Sequence, residues 1–206
     1  MTVCAETCDT AVEADKPAWT AVFAVTLGVF ALITAEFLPA SLLTPMAASL
    51  GVTEGMAGQT VTVTAAIALV TSLLISVLTR NTDRRVVLLS FSVLLVASNL
   101  LVAFAPTLAL VLLGRVLLGI AIGGFWTMSA AVAMRLVPEA MVPRALSIIF
   151  SGVSVATVAA APLGSYFGHL IGWRNVFLIA TIIGVLAFFW QLVVLPKMAP
   201  TGTARM

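Results

Sequence analysis

The chain has 206 residues, 62% of them hydrophobic and 9% charged, so 10 basic and 8 acidic side chains serve the whole molecule, with a net charge of +2. A soluble domain carries roughly a quarter charged residues. The shortfall, with a mean hydropathy of +1.20, excludes a water-soluble globule, a disordered chain and a nucleic-acid binder. A bilayer-spanning helix needs about 20 apolar residues, which leaves room for six spans, short loops and two tails: an all-α membrane protein.

The tail, residues 1–17, holds both cysteines, Cys4 and Cys8, and sets Glu6, Asp9, Glu13 and Asp15 against Lys16. A C-x3-C pair without a nearby His is a poor metal site. An acidic start is unlike a signal peptide, so the first apolar run is expected to persist as a helix. Six runs follow, at 19–38, 58–78, 86–105, 108–137, 145–167 and 173–195. Breakers separate them: Pro39, Pro45 and Gly51, then the Arg-rich stretch 80–85, then Pro106, then Pro138 and Pro143, then Gly168 and Gly172. The bundle is thus expected over 18–196, with 197–206 starting a central linker or C-terminal tail. Q-T-V-T-V-T at 59–64 alternates like a strand, but a lone strand in hydrocarbon leaves its backbone unpaired, so helix is expected there as well.

Lys16, Arg80, Arg84, Arg85, Arg135, Arg144, Lys197 and Arg205 fall on one side of this topology and Arg174 alone on the other. The positive-inside rule then puts both termini in the cytoplasm, where the two thiols stay reduced.

Two ionisable residues lie within spans, Glu36 in the first and Arg115 in the fourth. A charge at a helix centre costs about 2.5–3.5 kcal/mol on insertion scales, so each is expected to face a partner or a wet cavity. Glu36 lies about 27 Å along the rising first span and Arg115 about 10 Å down the descending fourth. Both therefore fall in the outer half of a core about 30 Å thick, within approach of each other. At about 100° per residue, Arg115, Gly119, Gly123, Trp126 and Ser129 share one stripe. Such a stripe suits either a closely packed neighbour helix or a flat polar solute such as a nucleobase, with Trp126 as filler or as stacking surface.

Thr60, Thr64 and Thr71 share a face of the second span beside Gln59, and Ser147, Ser151 and Ser154 share a face of the fifth. Hydroxyls in membrane helices mostly bond the preceding turn or a neighbour. Gln59, Asn99 and Gln191 are polar groups whose partners the sequence does not give. His169, the single histidine, is expected in the loop before Trp173. With no Cys/His cluster and no Gly-rich phosphate loop, neither an enzyme nor a cofactor is expected.

Six spans and the motif R-x3-G-x3-G-G at Arg115, Gly119, Gly123 and Gly124 resemble the N-terminal half of a major facilitator superfamily transporter, a 3+3 inverted repeat of six helices. P-L-G-x3-G-x3-G-W-R-N-x-F at 162–177 is similar to the fifth-helix motif of the drug:proton antiporter branch; it begins at Pro162, and its Gly164, Gly168 and Gly172 permit tight helix contact. E-F-L-P-A-S-L-L-T-P-M at 36–46, G-Q-T-V-T-V-T-A at 58–65 and G-G-F-W-T-M-S-A at 123–130 are similar to members of that branch that export purine ribonucleosides.

The resemblance implies export of nucleosides such as inosine and guanosine across a bacterial inner membrane, driven by the proton gradient. It makes Glu36 a proton carrier and Arg115 its coupling partner, with Trp126, Gln59, Thr64, Ser129 and Asn99 as substrate-facing residues. Asp83, Arg84 and Arg85 would gate the inner loop, although T-R-N-T-D-R-R at 79–85 lacks the glycines of the family's G-x3-D-R-x-G-R-R. Gly119, Gly123, Pro162, Gly164 and Gly168 would form the packing motif. The alternatives are a sugar or drug exporter of the same superfamily and a non-transporting fragment or interaction subunit. Because the family has two six-helix halves, the chain is expected to be a fragment or truncated product, or to need a second copy.

Overall fold

A computed structural model describes residues 17–78 and 82–196. Among the described residues seven α-helices follow in order: α1 (Trp19–Ser41), α2 (Leu43–Leu50), α3 (Glu54–Leu78), α4 (Arg84–Ala103), α5 (Leu108–Leu136), α6 (Val142–Ile171) and α7 (Trp173–Val194), with a 3₁₀ turn at Glu139–Met141 before α6. All but α2 are long and apolar enough to cross a membrane, which makes six spans. The cysteines, the acidic tail, Lys16, Arg80, Lys197 and Arg205 lie outside the described residues.

Several expected boundaries shift, each for a local reason. Pro39 does not end the first helix: α1 runs through it to Ser41, and the chain turns at once into α2. That short helix stops at Gly51, whose φ of 65° is left-handed; the amide of Val52 returns to Ala47 O at 3.1 Å, closing a Schellman cap. Pro143 likewise does not break a helix but sits in the first turn of α6, where a missing N–H costs nothing. At its far end α6 continues to Ile171, so His169 is in its last turn rather than in a loop. Gly172, with φ 83°, alone separates α6 from α7. The strand-like alternation at 59–64 is helical within α3.

The packing has the symmetry of an inverted repeat. Exchanging α1 with α5, α3 with α6 and α4 with α7 carries the tight α3–α5 contact onto α6–α1 and the α4–α5 contact onto α7–α1, while α4–α7 maps onto itself. Glycines set both of the closest approaches. A Cβ on Gly119 would stand 2.7 Å from Thr64 O, one on Gly123 would collide with the Ala68 backbone, and one on Gly152 would meet Thr26 O at 2.9 Å. Without a hydrophobic force between helices in lipid, such van der Waals contact is the main source of association.

Polar contacts tie the two ends. At the end that carries both described termini, the amide of Ala18 donates to Leu136 O (2.8 Å), Arg85 Nη2 donates to Leu192 O (2.7 Å), and Arg144 lies over the Trp19 ring at 5.5 Å. At the opposite end Trp173 Nε1 donates to Ser49 Oγ (2.7 Å) and Arg174 Nη2 to Ala105 O (3.0 Å). Among the described residues Arg84, Arg85, Arg135 and Arg144 belong to the terminal end and Arg174 to the other.

Nearer the terminal end, Gln191 of α7 donates from Nε2 to Ala24 O of α1 (3.2 Å) and accepts at Oε1 from Ser92 Oγ of α4 (2.8 Å), in space left by Gly28. This fully buried amide therefore joins three helices. α3 and α6 are the least enclosed, and leave Leu69, Leu73, Val158 and Tyr166 more than half exposed.

Gly123→Leu is expected to force α5 away from α3 and lower stability by about 1–3 kcal/mol, the usual cost of overpacking. Gly58→Ala, at a helical position with open space where the new methyl would go, is expected to raise the unfolding temperature slightly, because alanine is the better helix former by about 0.8–1.0 kcal/mol. Thermal unfolding of both variants in detergent measures the contrast.

Candidate functional site

The largest fully enclosed side chain is Arg115 of α5, with no exposed surface. Its Nη1 donates to Ala35 O at 3.0 Å, its Nη2 to Glu36 O at 3.2 Å and its Nε to Thr64 Oγ1 at 3.1 Å. The guanidinium thus joins α5 to α1 and α3. The Thr64 hydroxyl passes its own proton to Thr60 O (2.8 Å), and Thr60 in turn donates to Ala57 O (2.7 Å), so both buried threonines are satisfied along α3.

Carbonyls inside a helix are normally taken by the amide four residues on. Pro39 has no amide proton, so Ala35 O is left without its helical donor. In a membrane such a freed group must be met by a neighbouring helix, and here Arg115 meets it. The signal is present in the sequence as the A-E-F-L-P spacing, four residues from Ala35 to Pro39, and a proline inside a helix rather than at its end is what gives it meaning.

Glu36 and Arg115 do come together, toward the end of the bundle away from the described termini, but through the backbone. Arg115 reaches the carbonyl of Glu36 rather than its carboxylate, and the half-buried carboxylate stays within Coulombic range of the guanidinium. The arrangement seals one positive charge among neutral oxygens and puts one titratable carboxyl beside it at a partly open position.

The other predicted residues separate into groups. Gly119 and Gly123 abut the α3 backbone, so no solute space lies between them and α3. Trp126, half-buried, stacks on Phe150 of α6 with centroids 5.7 Å apart and planes 21° from parallel. It lies about 17 Å along α5 from Arg115. Helix α5 is described at Ser129, but the side chain lies outside the described part. Gln59 is exposed near the start of α3, and Asn99 is completely buried in α4 with no hydrogen-bond partner for its amide among the described residues. Of the substrate-facing candidates whose side chains are described, Thr64 alone hydrogen-bonds to Arg115.

In the predicted gate, Asp83 caps α4 by accepting from the Arg85 amide at 2.9 Å. Arg85 itself binds the last turn of α7, a favourable place for a cation. Arg84 opens the same helix at the terminal end. In the fifth-span motif, Gly164 and Gly168 are buried against Ser41 and Leu42, while Pro162 lies exposed within α6 and withdraws the donor from Val158 O. The serines of α6 donate to their own helix: Ser147 to Pro143 O, Ser151 to Ile148 O and Ser154 to Phe150 O.

Comparison with known proteins agrees with this geometry. The sequence profile of the Major Facilitator Superfamily matches residues 25–205. The chain is 57% identical over 183 residues to proteins named purine ribonucleoside efflux pump NepI from Salmonella paratyphi B and Salmonella typhimurium, an overlap of 89% of this chain and 46% of theirs. It therefore spans about half the length of the curated relatives it matches. Among solved structures, a POT family transporter crystallised with 5-aminolevulinic acid superposes with a TM-score of 0.77 over 90% of this chain and 41% of its own, at 18% identity. The human organic anion transporter MFSD10 (TETRAN) gives a TM-score of 0.63 over 89% and 49%, also at 18% identity. Six spans in an inverted repeat, the profile match and these relatives together establish that the chain belongs to the Major Facilitator Superfamily and is a multi-pass membrane protein of a transporter family.

Proposed function

We propose that this chain provides the N-terminal six-helix body of a proton-coupled exporter of purine ribonucleosides such as inosine and guanosine. The membrane is a bacterial inner membrane and both termini face the cytoplasm. A second six-helix body, a C-terminal half or another copy, completes the substrate path. The 57% identity to proteins named as purine ribonucleoside efflux pumps supports the substrate class. The observation that carries the coupling reading is the enclosed Arg115 held on the carbonyls of Ala35 and Glu36.

A buried cation surrounded by neutral oxygens keeps its net charge, and a deprotonated Glu36 supplies the balance at short range. Protonation removes that balance. Any movement of α1 that changes the separation of the two groups then changes how strongly Glu36 holds its proton, and the reverse holds by linkage. Outside protons load Glu36 as substrate leaves, and the charge on Glu36 biases the body between its two orientations. Neither cofactor nor metal enters this scheme; the proton gradient is the energy source.

In the complete transporter, Glu36→Gln is expected to abolish proton-driven inosine accumulation in inverted vesicles while leaving inosine counterflow in place; retention of full proton-driven accumulation refutes the role. Thr64→Val removes a hydrogen bond to a charged group and is expected to cost about 1.5–3 kcal/mol of stability, read by thermal unfolding. Pro39→Ala restores a helical donor to Ala35 O and competes with Arg115, so transport is expected to fall even where the unfolding temperature holds. Competition of inosine uptake by arabinose and by hydrophobic cations tests the substrate class; only nucleosides should compete. A membrane-impermeant maleimide is expected to reach Cys4 and Cys8 in inverted vesicles and not in right-side-out ones.

A further inference from the structure

Between α6 and α7, which touch only lightly, α1 forms the floor of an open groove bordered by exposed apolar side chains. Two cavities lie in line along it and share Phe30. The one toward the terminal end, of about 310 Å³, is bordered by Phe23, Ser151, Val155 and Trp190. The other, of about 100 Å³, continues past Phe30 to Leu38. Trp19 precedes Phe30 by about 17 Å along the helix, so Phe30 divides the groove near the middle of a hydrocarbon core about 30 Å thick.

The terminal-end mouth is marked by a cation. Arg144 lies two turns before Ser151 on the same face of α6, and Trp19 one turn before Phe23 on the same face of α1; the two pair at 5.5 Å. Arg144 is otherwise exposed. Its guanidinium is thus set at headgroup depth directly over an apolar channel one leaflet long.

We propose that the wide compartment is a binding site for one acyl chain of an anionic phospholipid from the leaflet at the terminal end, with the headgroup phosphate on Arg144. The groove is open along exposed apolar side chains, the walls of its wide compartment are mainly apolar with Thr26 and Ser151 as the polar exceptions, and its length below Arg144 matches half a bilayer. A phosphate accepts from a guanidinium as a charge-assisted pair, while the chain fills space that the splayed helices leave open. A zwitterionic lipid can fill the same channel but brings no net charge to Arg144, so the site selects by headgroup. The Phe30 ring divides the groove, and the space beyond it is smaller, about 100 Å³ against about 310 Å³.

The test uses the full chain in nanodiscs, with phosphatidylglycerol or phosphatidylcholine brominated on the acyl chain at equal mole fraction. Trp190 fluorescence is read as the difference between the unaltered protein and Trp190→Phe. Expected are stronger quenching by brominated phosphatidylglycerol, loss of that preference in Arg144→Gln, its return in Arg144→Lys, and loss of quenching by both lipids in Val155→Phe, which fills the groove. Equal quenching by the two lipids in the unaltered protein would mean ordinary boundary lipid and overturn the proposal, as would a preference that survives Arg144→Gln. If Val155→Phe fails to insert, the Arg144 pair still decides.

Discussion

A guanidinium sealed among helices needs oxygen acceptors, and a regular helix has few to spare because its carbonyls are already taken. Arg115 is tolerable where it is because Pro39 has withdrawn the donor from Ala35 O. The proline alone would leave a polar orphan in hydrocarbon, and the arginine alone would leave an unsolvated charge; each removes the other's cost. Much of the bundle's half away from the described termini follows from this exchange. It fixes the depth of α1 against α5, brings Thr64 of α3 into the same cluster, and holds Glu36 near a positive charge that no carboxylate among the described residues contacts directly.

Spans and their order were readable because apolar composition over about 20 residues leaves a chain no other stable form in a bilayer; their grouping into two sets of three was implied only by the family resemblance. Helix ends were less readable. Proline spacing reads as punctuation at Pro39 and Pro143, whereas Pro39 lies inside a helix and Pro143 begins one. The shared depth of Glu36 and Arg115 followed from counting residues, but that arithmetic places Cα atoms and says nothing of whether a side chain meets a carboxylate or a carbonyl. The stripe from Arg115 to Trp126 was correct as a periodicity and ambiguous as a function, since glycines that admit a solute and glycines that admit a helix have the same spacing. Ser92 and Gln191 lie 99 residues apart, a distance at which no local pattern could pair them.

The bundle combines two kinds of adhesion. Along α3–α5 and α1–α6, glycine lets backbones touch and polar side chains are few. Where three helices meet, one amide or one guanidinium does the joining. The first kind is broad and tolerant of direction, the second narrow and specific for register. Their division explains how α3 and α6 can each press one face tightly inward while presenting large apolar side chains on the other.

Because the Gln191 amide grips α1 at Ala24 and the Arg115 fork grips it at Ala35 and Glu36, α1 is keyed to its neighbours at two heights about 17 Å apart. Slippage along its axis, even by a single turn, would present the wrong oxygen at both. Helix α1 is therefore a torsion rod rather than a piston: a tilt at one end is carried toward the other, whereas an axial stroke would break both grips.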